Sequence, residues 1–207
     1  MNYTNAIGII VTTEFMSRIL AFDTWQEQWG NTDRILTEEQ NESVAMQTFS
    51  GLDLTKRIVE AQTDIDGMTA AKRCWNYQKG GLQWYLPCLM ELGVLCAYRD
   101  EINKAMKEIG CPDECLLPTE DSDETWVWSS SEGSQNYSWF VYFSNGNFGY
   151  YSKSYSGMVR AVAAFQPSPS LLTGEAKSND CLHSDEALIN MLRERGYKGE
   201  LTKTLTI

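Results

Sequence analysis

Between Gly133 and Met158 the chain carries a single charge, Lys153, in a protein that is 22% charged overall. Of these 26 residues six are Ser, five Tyr, four Gly, three Asn and three Phe, and Trp139 brings the aromatics to nine. Such a segment is either a low-complexity tract or part of a sheet, and its periodicity selects the sheet. Trp139, Val141 and Phe143 alternate with Phe140, Tyr142 and Ser144, as in a strand with one buried face. Asn145-Gly146 supplies two positive-φ residues for a tight type I′ hairpin. Asn147 to Tyr151 is the expected return strand, and Val159 to Phe165 reads as a closing core strand. The Tyr, Ser and Gly residues then fall on the outer face of a hairpin and on the loop after it, held by an apolar frame. This is the composition of antibody binding loops, where Tyr gives contact area at low entropic cost and Ser, Gly and Asn give adaptable hydrogen bonding.

The 207 residues suit one domain, over 1–165, with a linker and tail over 166–207. The net charge of −11 and pI near 4.6 argue against nucleic acid or an anionic membrane as partner, because phosphate recognition needs clustered Lys and Arg. No apolar run approaches the ~20 residues that span a bilayer. Met1 to Asn5 carries no basic charge, and Ala6 to Val11 is short for a signal-peptide core. No signal peptide and no membrane insertion are therefore expected. The protein would stay in the cytoplasm, or reach the outside by another route, such as a phage tail or non-classical surface display.

Six cysteines, Cys74, Cys88, Cys96, Cys111, Cys115 and Cys181, are expected as thiols in the absence of a secretion signal. Cys111 and Cys115 resemble half of a metal site, but no second pair exists and the lone His183 lies in the tail, so no metal or cofactor is expected. The acidic stretch from Pro112 to Glu124 lacks the spacing of a calcium-binding EF-hand loop and reads as a solvated loop. Glu91, early in a helix, reads as a helix-end carboxylate or buried hydrogen-bond partner, not as a catalytic acid.

In chain order, Ala6 to Val11 reads as the first strand and Met16 to Phe22 as its hairpin partner. Gln26 to Ser50 is polar and irregular, anchored by Trp25 and Trp29. Leu52 to Gln62 and Thr69 to Tyr77 have helical periodicity, the second capped by Thr69. Trp84 to Leu86 is extended. Pro87 opens the longest expected helix, reaching Ile109 with Leu89, Leu92, Cys96, Ile102, Met106 and Ile109 as its stripe and Gly110 as its stop. Gln166 to Ser170 reads as a linker, Asp185 to Arg195 as a short amphipathic helix, and Leu201 to Ile207 as a β-prone end serving docking or assembly.

The ordered set Trp84-Tyr85-Leu86-Pro87, Glu91-Leu92, Trp128 to Glu132, Trp139-Phe140-Val141, Asn145-Gly146-Asn147 and Val159 to Val162 resembles the C-type lectin fold. The likeness is to the branch shared by formylglycine-generating-enzyme-like domains and the variable proteins of diversity-generating retroelements, in particular those of gut Bacteroidales and their phages. It covers about Ala6 to Phe165 and is strongest from Trp126 onward; the tail beyond Phe165 departs from many members. The resemblance implies an α+β, C-type lectin-like fold of antiparallel sheets with two main helices. It implies a fixed frame of Trp128, Trp139, Val141, Phe143, Gly146, Val159, Arg160 and Val162. In that family adenine-directed copying errors diversify outward side chains. The ligand-facing set here would be Gly133, Gln135, Ser138, Phe140, Tyr142, Ser144, Tyr150, Tyr151, Ser152, Ser154, Tyr155, Gly157 and Met158.

The function expected is hypervariable binding of a protein or glycan ligand on a cell surface, as in an adhesin or phage receptor-binding protein. Two alternatives stand beside it. One is an assembly protein, with the aromatic patch as a homo-oligomer interface and the tail as a docking element. The other is an enzyme of the formylglycine-generating type, disfavoured because Trp126 to Phe165 holds no cysteine or histidine and only one acid, Glu132. No enzyme activity is expected.

Overall fold

Successive residues of β1 (Gly8–Thr12) point alternately into two different cores: Ile9 and Val11 into one, Ile10 into the other. That two-sided burial holds for most of the sheet that β1 belongs to. The structure, a computed structural model, describes residues 6–30, 34–38, 40–63, 66–120 and 125–165, and the backbone of 204–206. The linker, the amphipathic helix, Cys181, His183 and most of the tail expected from the sequence lie outside the described residues.

The architecture is α+β. The strands form one sheet, in the order β6-β5-β4-β7-β2-β1-β8, with β3 also on β7. They are β2 (Ser17–Gln28), β3 (Trp84–Tyr85), β4 (Trp126–Glu132), β5 (Tyr137–Tyr142), β6 (Phe148–Ser152), β7 (Ser156–Ala164) and β8 (Thr204–Thr206). The ladders are antiparallel except β4 with β7 and β1 with β8. The expectation of antiparallel sheets is thus corrected to a single mixed sheet. β2 also runs beyond Phe22 to Gln28, into the segment read as irregular.

Helices cover both faces. α4 (Leu89–Ala97) and α5 (Arg99–Glu108) contribute Leu92, Leu95, Ile102 and Met106 to one core, which also holds Trp139, Val141 and Phe143. α2 (Gly51–Ala61) and α3 (Ala70–Trp75) contribute Ile58, Ala70, Ala71 and Cys74 to the other, with Trp84, Trp126, Trp128 and Phe140. A four-residue turn, α1 (Glu42–Ala45), lies in the segment 26–50. No helix among the described residues is long and apolar enough to cross a membrane.

The local signals acted where their chemistry demanded. Thr69 caps α3, accepting from Lys72 N. The helix expected from Pro87 to Ile109 is instead two, joined at Tyr98 (φ −106°, ψ 20°), and it starts after Pro87, at the N-cap Cys88. Glu91 completes a capping box by accepting from Cys88 N at 2.9 Å. Fully buried, it also accepts from Arg18 Nε at 2.8 Å and Tyr85 OH at 2.9 Å, the structural role expected of it. No disulfide joins the five described cysteines. Burial holds the Cys111 thiol up, at about 12, and raises those of Cys74 and Cys88 further. Among the described residues no group of three His, Cys, Asp or Glu side chains is placed to hold a metal ion.

Candidate ligand-binding surface

The candidate site grows from an irregularity between β4 and β5. The register runs Trp126↔Tyr142, Val127↔Val141, Trp128↔Phe140 and then shifts before Glu132↔Ser138. Ser129 to Ser131 therefore lie in a bulged stretch, and hydroxyls take over part of the ladder's bonding. Ser129 Oγ donates to Trp139 O at 2.7 Å, and Ser138 Oγ donates to Ser131 O at 2.6 Å. Ser131 Oγ accepts from Leu89 N at 3.1 Å, and Ser130 N donates to Pro87 O at 2.8 Å, tying the bulge to the start of α4.

The bulge ends at Glu132, whose carboxylate is wholly buried. It accepts from Leu36 N at 3.0 Å, and from Thr37 N and Thr37 Oγ1 at 2.6 Å each. Lys153 Nζ lies 2.5 Å from Glu132 Oε1, is equally buried, donates to Gln135 O at 2.9 Å, and sits 4.8 Å from the centre of the Trp29 ring. One ion pair thus fastens three segments: the 34–38 strap, the 133–136 turn and the β6–β7 turn. The only charge of the neutral block is inside the protein.

The β5–β6 connection is longer than the expected two-residue hairpin. The last strand pair is Val141↔Phe148, with Gly146 N donating to Tyr142 O at 2.8 Å and Asn147 N to Asn145 Oδ1 at 2.9 Å. Gly146 adopts a left-handed conformation, at φ 76°.

The thirteen sequence-derived site residues separate into groups. Tyr150, Tyr151 and Tyr155 are 60%, 42% and 54% exposed, and Gln135 and Ser154 are also exposed. Gly133, Tyr142, Ser144, Ser152 and Met158 are half-buried. Ser138, Phe140 and Gly157 are buried, which corrects the outward placement expected for them. Ser138 belongs to the bulge. Phe140 packs 4.9 Å from Trp126, because the sheet face expected to meet solvent there is covered by the second core. At Gly157 a Cβ would overlap the Trp126 indole, so the glycine is a bed for that ring.

The exposed rings also lie on two faces. Paired residues of neighbouring strands share a face, so Tyr150, opposite Trp139, faces the α4 side, and Tyr151, opposite Ser138, the α2 side. On the α2 side Tyr151 meets Tyr155 at 4.5 Å and Trp126 at 5.9 Å. On the α4 side Tyr150 meets Trp139 at 5.5 Å and Tyr137 at 5.7 Å. Ser144 lies at the far tip, its carbonyl accepting from Arg99 at 3.0 Å.

Tyr137, 44% exposed, was not among the expected site residues, although its spacing of two from Trp139 marks it as on the same face. With Tyr150, Trp139, Gly133, Ser134, Gln40 and Asn41 it lines a groove of about 280 Å³. Gln40 and Asn41 carried no local signal, standing in a stretch that read as irregular.

No curated protein matches the chain. Among solved structures, a fimbrial protein from Bacteroides ovatus ATCC 8483 is similar in fold, with a TM-score of 0.50 and 14% identity over 72% of this chain. The match spans 36% of that protein, about a third of its length. The model of the Lcl C-terminal domain family matches residues 24–163, from within β2 to the end of the central strand β7. The chain belongs to the Lcl C-terminal domain family.

Proposed function

We propose that this domain binds a ligand at a cell surface, as an adhesin or receptor-binding module, through the tyrosine-bearing edge formed by β5, β6 and the β6–β7 turn. The observation that carries the reading is the pairing of four exposed tyrosines with a rigid buried support. The rings stand on a neutral segment whose one cation is locked to Glu132. Large rings with few torsions lose little entropy on binding, and a fixed base reduces the loss further. The fimbrial neighbour supports a surface setting at the level of fold.

The finer reading is a C-type lectin-like scaffold whose outward side chains a retroelement diversifies. The exposed set Gln135, Tyr150, Tyr151, Ser154 and Tyr155 supports it, since these positions accept other side chains without entering a core. Its check is the neighbouring DNA: a reverse transcriptase gene and a near-copy of the 3′ coding segment differing only at adenines.

Binding is favoured over catalysis because Cys111 and Cys115 are buried and the Cys111 thiol is held protonated at neutral pH, unlike a reactive nucleophile. A second reading, self-association, draws on β6 being the end strand of the sheet among the described residues. The test is one set of variants. Ala at Tyr137, Tyr150, Tyr151 and Tyr155 together should abolish binding of the labelled protein to a panel of intact bacterial and host cells, and leave it monomeric by light scattering. Undiminished cell binding refutes the proposal, and a dimer that the four changes dissolve favours self-association.

A further inference from the structure

The groove on the α4 side of the β5–β6 edge is a built pocket, and its chemistry is narrower than that of the surface around it. Its floor is Trp139 and its outer wall the rings of Tyr137 and Tyr150. The described residues of the opposite wall are polar or small: Gln40, Asn41, Ser134 and Gly133. Gln40 is held from both sides of its backbone. Its N–H donates to Glu132 O at 2.8 Å, and its carbonyl accepts from Trp139 Nε1 at 2.8 Å. Its side chain is 99% buried, at 1% exposure, and the carboxamide oxygen has no hydrogen-bond partner. That oxygen is sealed from the groove, so Gln40 fixes the wall through its backbone bonds. Asn41 uses its own carboxamide oxygen on Val44 N, capping α1 at 3.1 Å, so its NH₂ is the end left to address a ligand.

We propose that this groove is a subsite for one neutral sugar ring, deepening the ligand-binding reading on which it rests. Three features favour a pyranose over a peptide side chain. Among the described residues none that lines the groove is charged, so nothing among them selects a charged ligand. The aromatic wall suits the weakly positive C–H face of a sugar, since ring faces are the negative part of the aromatic quadrupole. The polar wall presents the Asn41 carboxamide N–H groups and the Ser134 hydroxyl. A sugar hydroxyl can accept from either group, whereas an apolar side chain would leave both without a ligand partner. At about 280 Å³ the space is just below the ~300 Å³ where drug-sized pockets begin, which is room for a single ring.

The experiment uses the full chain and saturation-transfer NMR with methyl β-galactoside, methyl α-mannoside and N-acetylglucosamine. Sialyllactose serves as the charged probe and the tripeptide Gly-Tyr-Gly as the peptide probe. At least one neutral sugar should bind in the millimolar range. Tyr150→Ala should weaken it by about tenfold or more, as loss of an aromatic anchor does. Asn41→Asp, which keeps the cap on Val44 N and removes the amide donors, should weaken it too, and Phe15→Ala, exposed in the β1–β2 turn away from the tyrosine-bearing edge, should leave it unchanged. Because Tyr150 is exposed, its variant folds whether or not Asn41→Asp does. Binding of the tripeptide alone, binding of none of the sugars, or sugar binding that survives Tyr150→Ala overturns the proposal. If cells still bind through Tyr151 and Tyr155 while Tyr150 and Asn41 prove dispensable, the subsite fails and the ligand-binding function stands.

Discussion

Replacing Lys153 with Met tests the claim that a buried ion pair holds the candidate surface in shape. Breaking a buried pair from one side destabilises a protein by about 3–5 kcal/mol, because the other charge stays behind in low dielectric. Here the stranded carboxylate of Glu132 keeps the Leu36 and Thr37 amides and the Thr37 hydroxyl, so the expected loss is at the lower end, about 3 kcal/mol. For a domain of this size that lowers Tm by about 6–12 °C. Glu132→Gln should be worse. It takes the carboxylate from an ammonium that faces the Gln135 and Arg34 carbonyls and the Trp29 ring, and turns an amide donor toward backbone donors. The double variant removes both charges, so calorimetric melts of all four proteins should show a favourable coupling of about 2 kcal/mol. Hydrogen exchange at Leu36 and Thr37 should quicken in the single variants. A Lys153→Met protein within about 0.5 kcal/mol of the parent, or effects that merely add, would refute the reasoning.

Gly157→Ala should destabilise by about 1–3 kcal/mol through collision with Trp126. Gly133→Ala, whose Cβ would stand 3.4 Å from Trp139 Nε1, should stay within about 0.5 kcal/mol; equal effects in urea melts would contradict the packing described. In alkali the buried thiols of Cys74 and Cys88 keep their protons in the fold and lose them in the unfolded chain above the usual value of 9. Their contribution is whole below pH 9 and should fall by about 1.4 kcal/mol per pH unit per thiol above it. Reduced protein whose urea midpoint holds steady from pH 8 to 11 would show that these thiols are not sealed.

How far the fold was legible depended on whether the signal was local. The cap at Thr69, the β7 run and the aromatic face of β5 are written in neighbouring residues, and they were readable. The break at Tyr98 was not, because Leu89, Leu92, Ile102 and Met106 enter the same core from both helices, so the apolar stripe passes through the interruption. Phe140 was misplaced for a related reason. Trp126-Val127-Trp128 and Trp139 to Phe143 are nearly unbroken apolar runs, the mark of strands covered on both faces, and alternation was drawn from them by choosing one register. Gln40 had no local mark at all. It is buried because Glu132, about 95 residues away from Thr37, draws Leu36, Thr37 and Gln40 to the end of β4. Lys153 joins these threads. A lone lysine in a neutral, aromatic segment suggests solvent, yet the structure puts it beneath the surface, paired with the acid that ends the bulge. The face that Tyr137 and Tyr150 present is therefore free of that charge. Among the described residues lining the groove there none is charged, so high salt should leave ligand affinity at this face nearly unchanged.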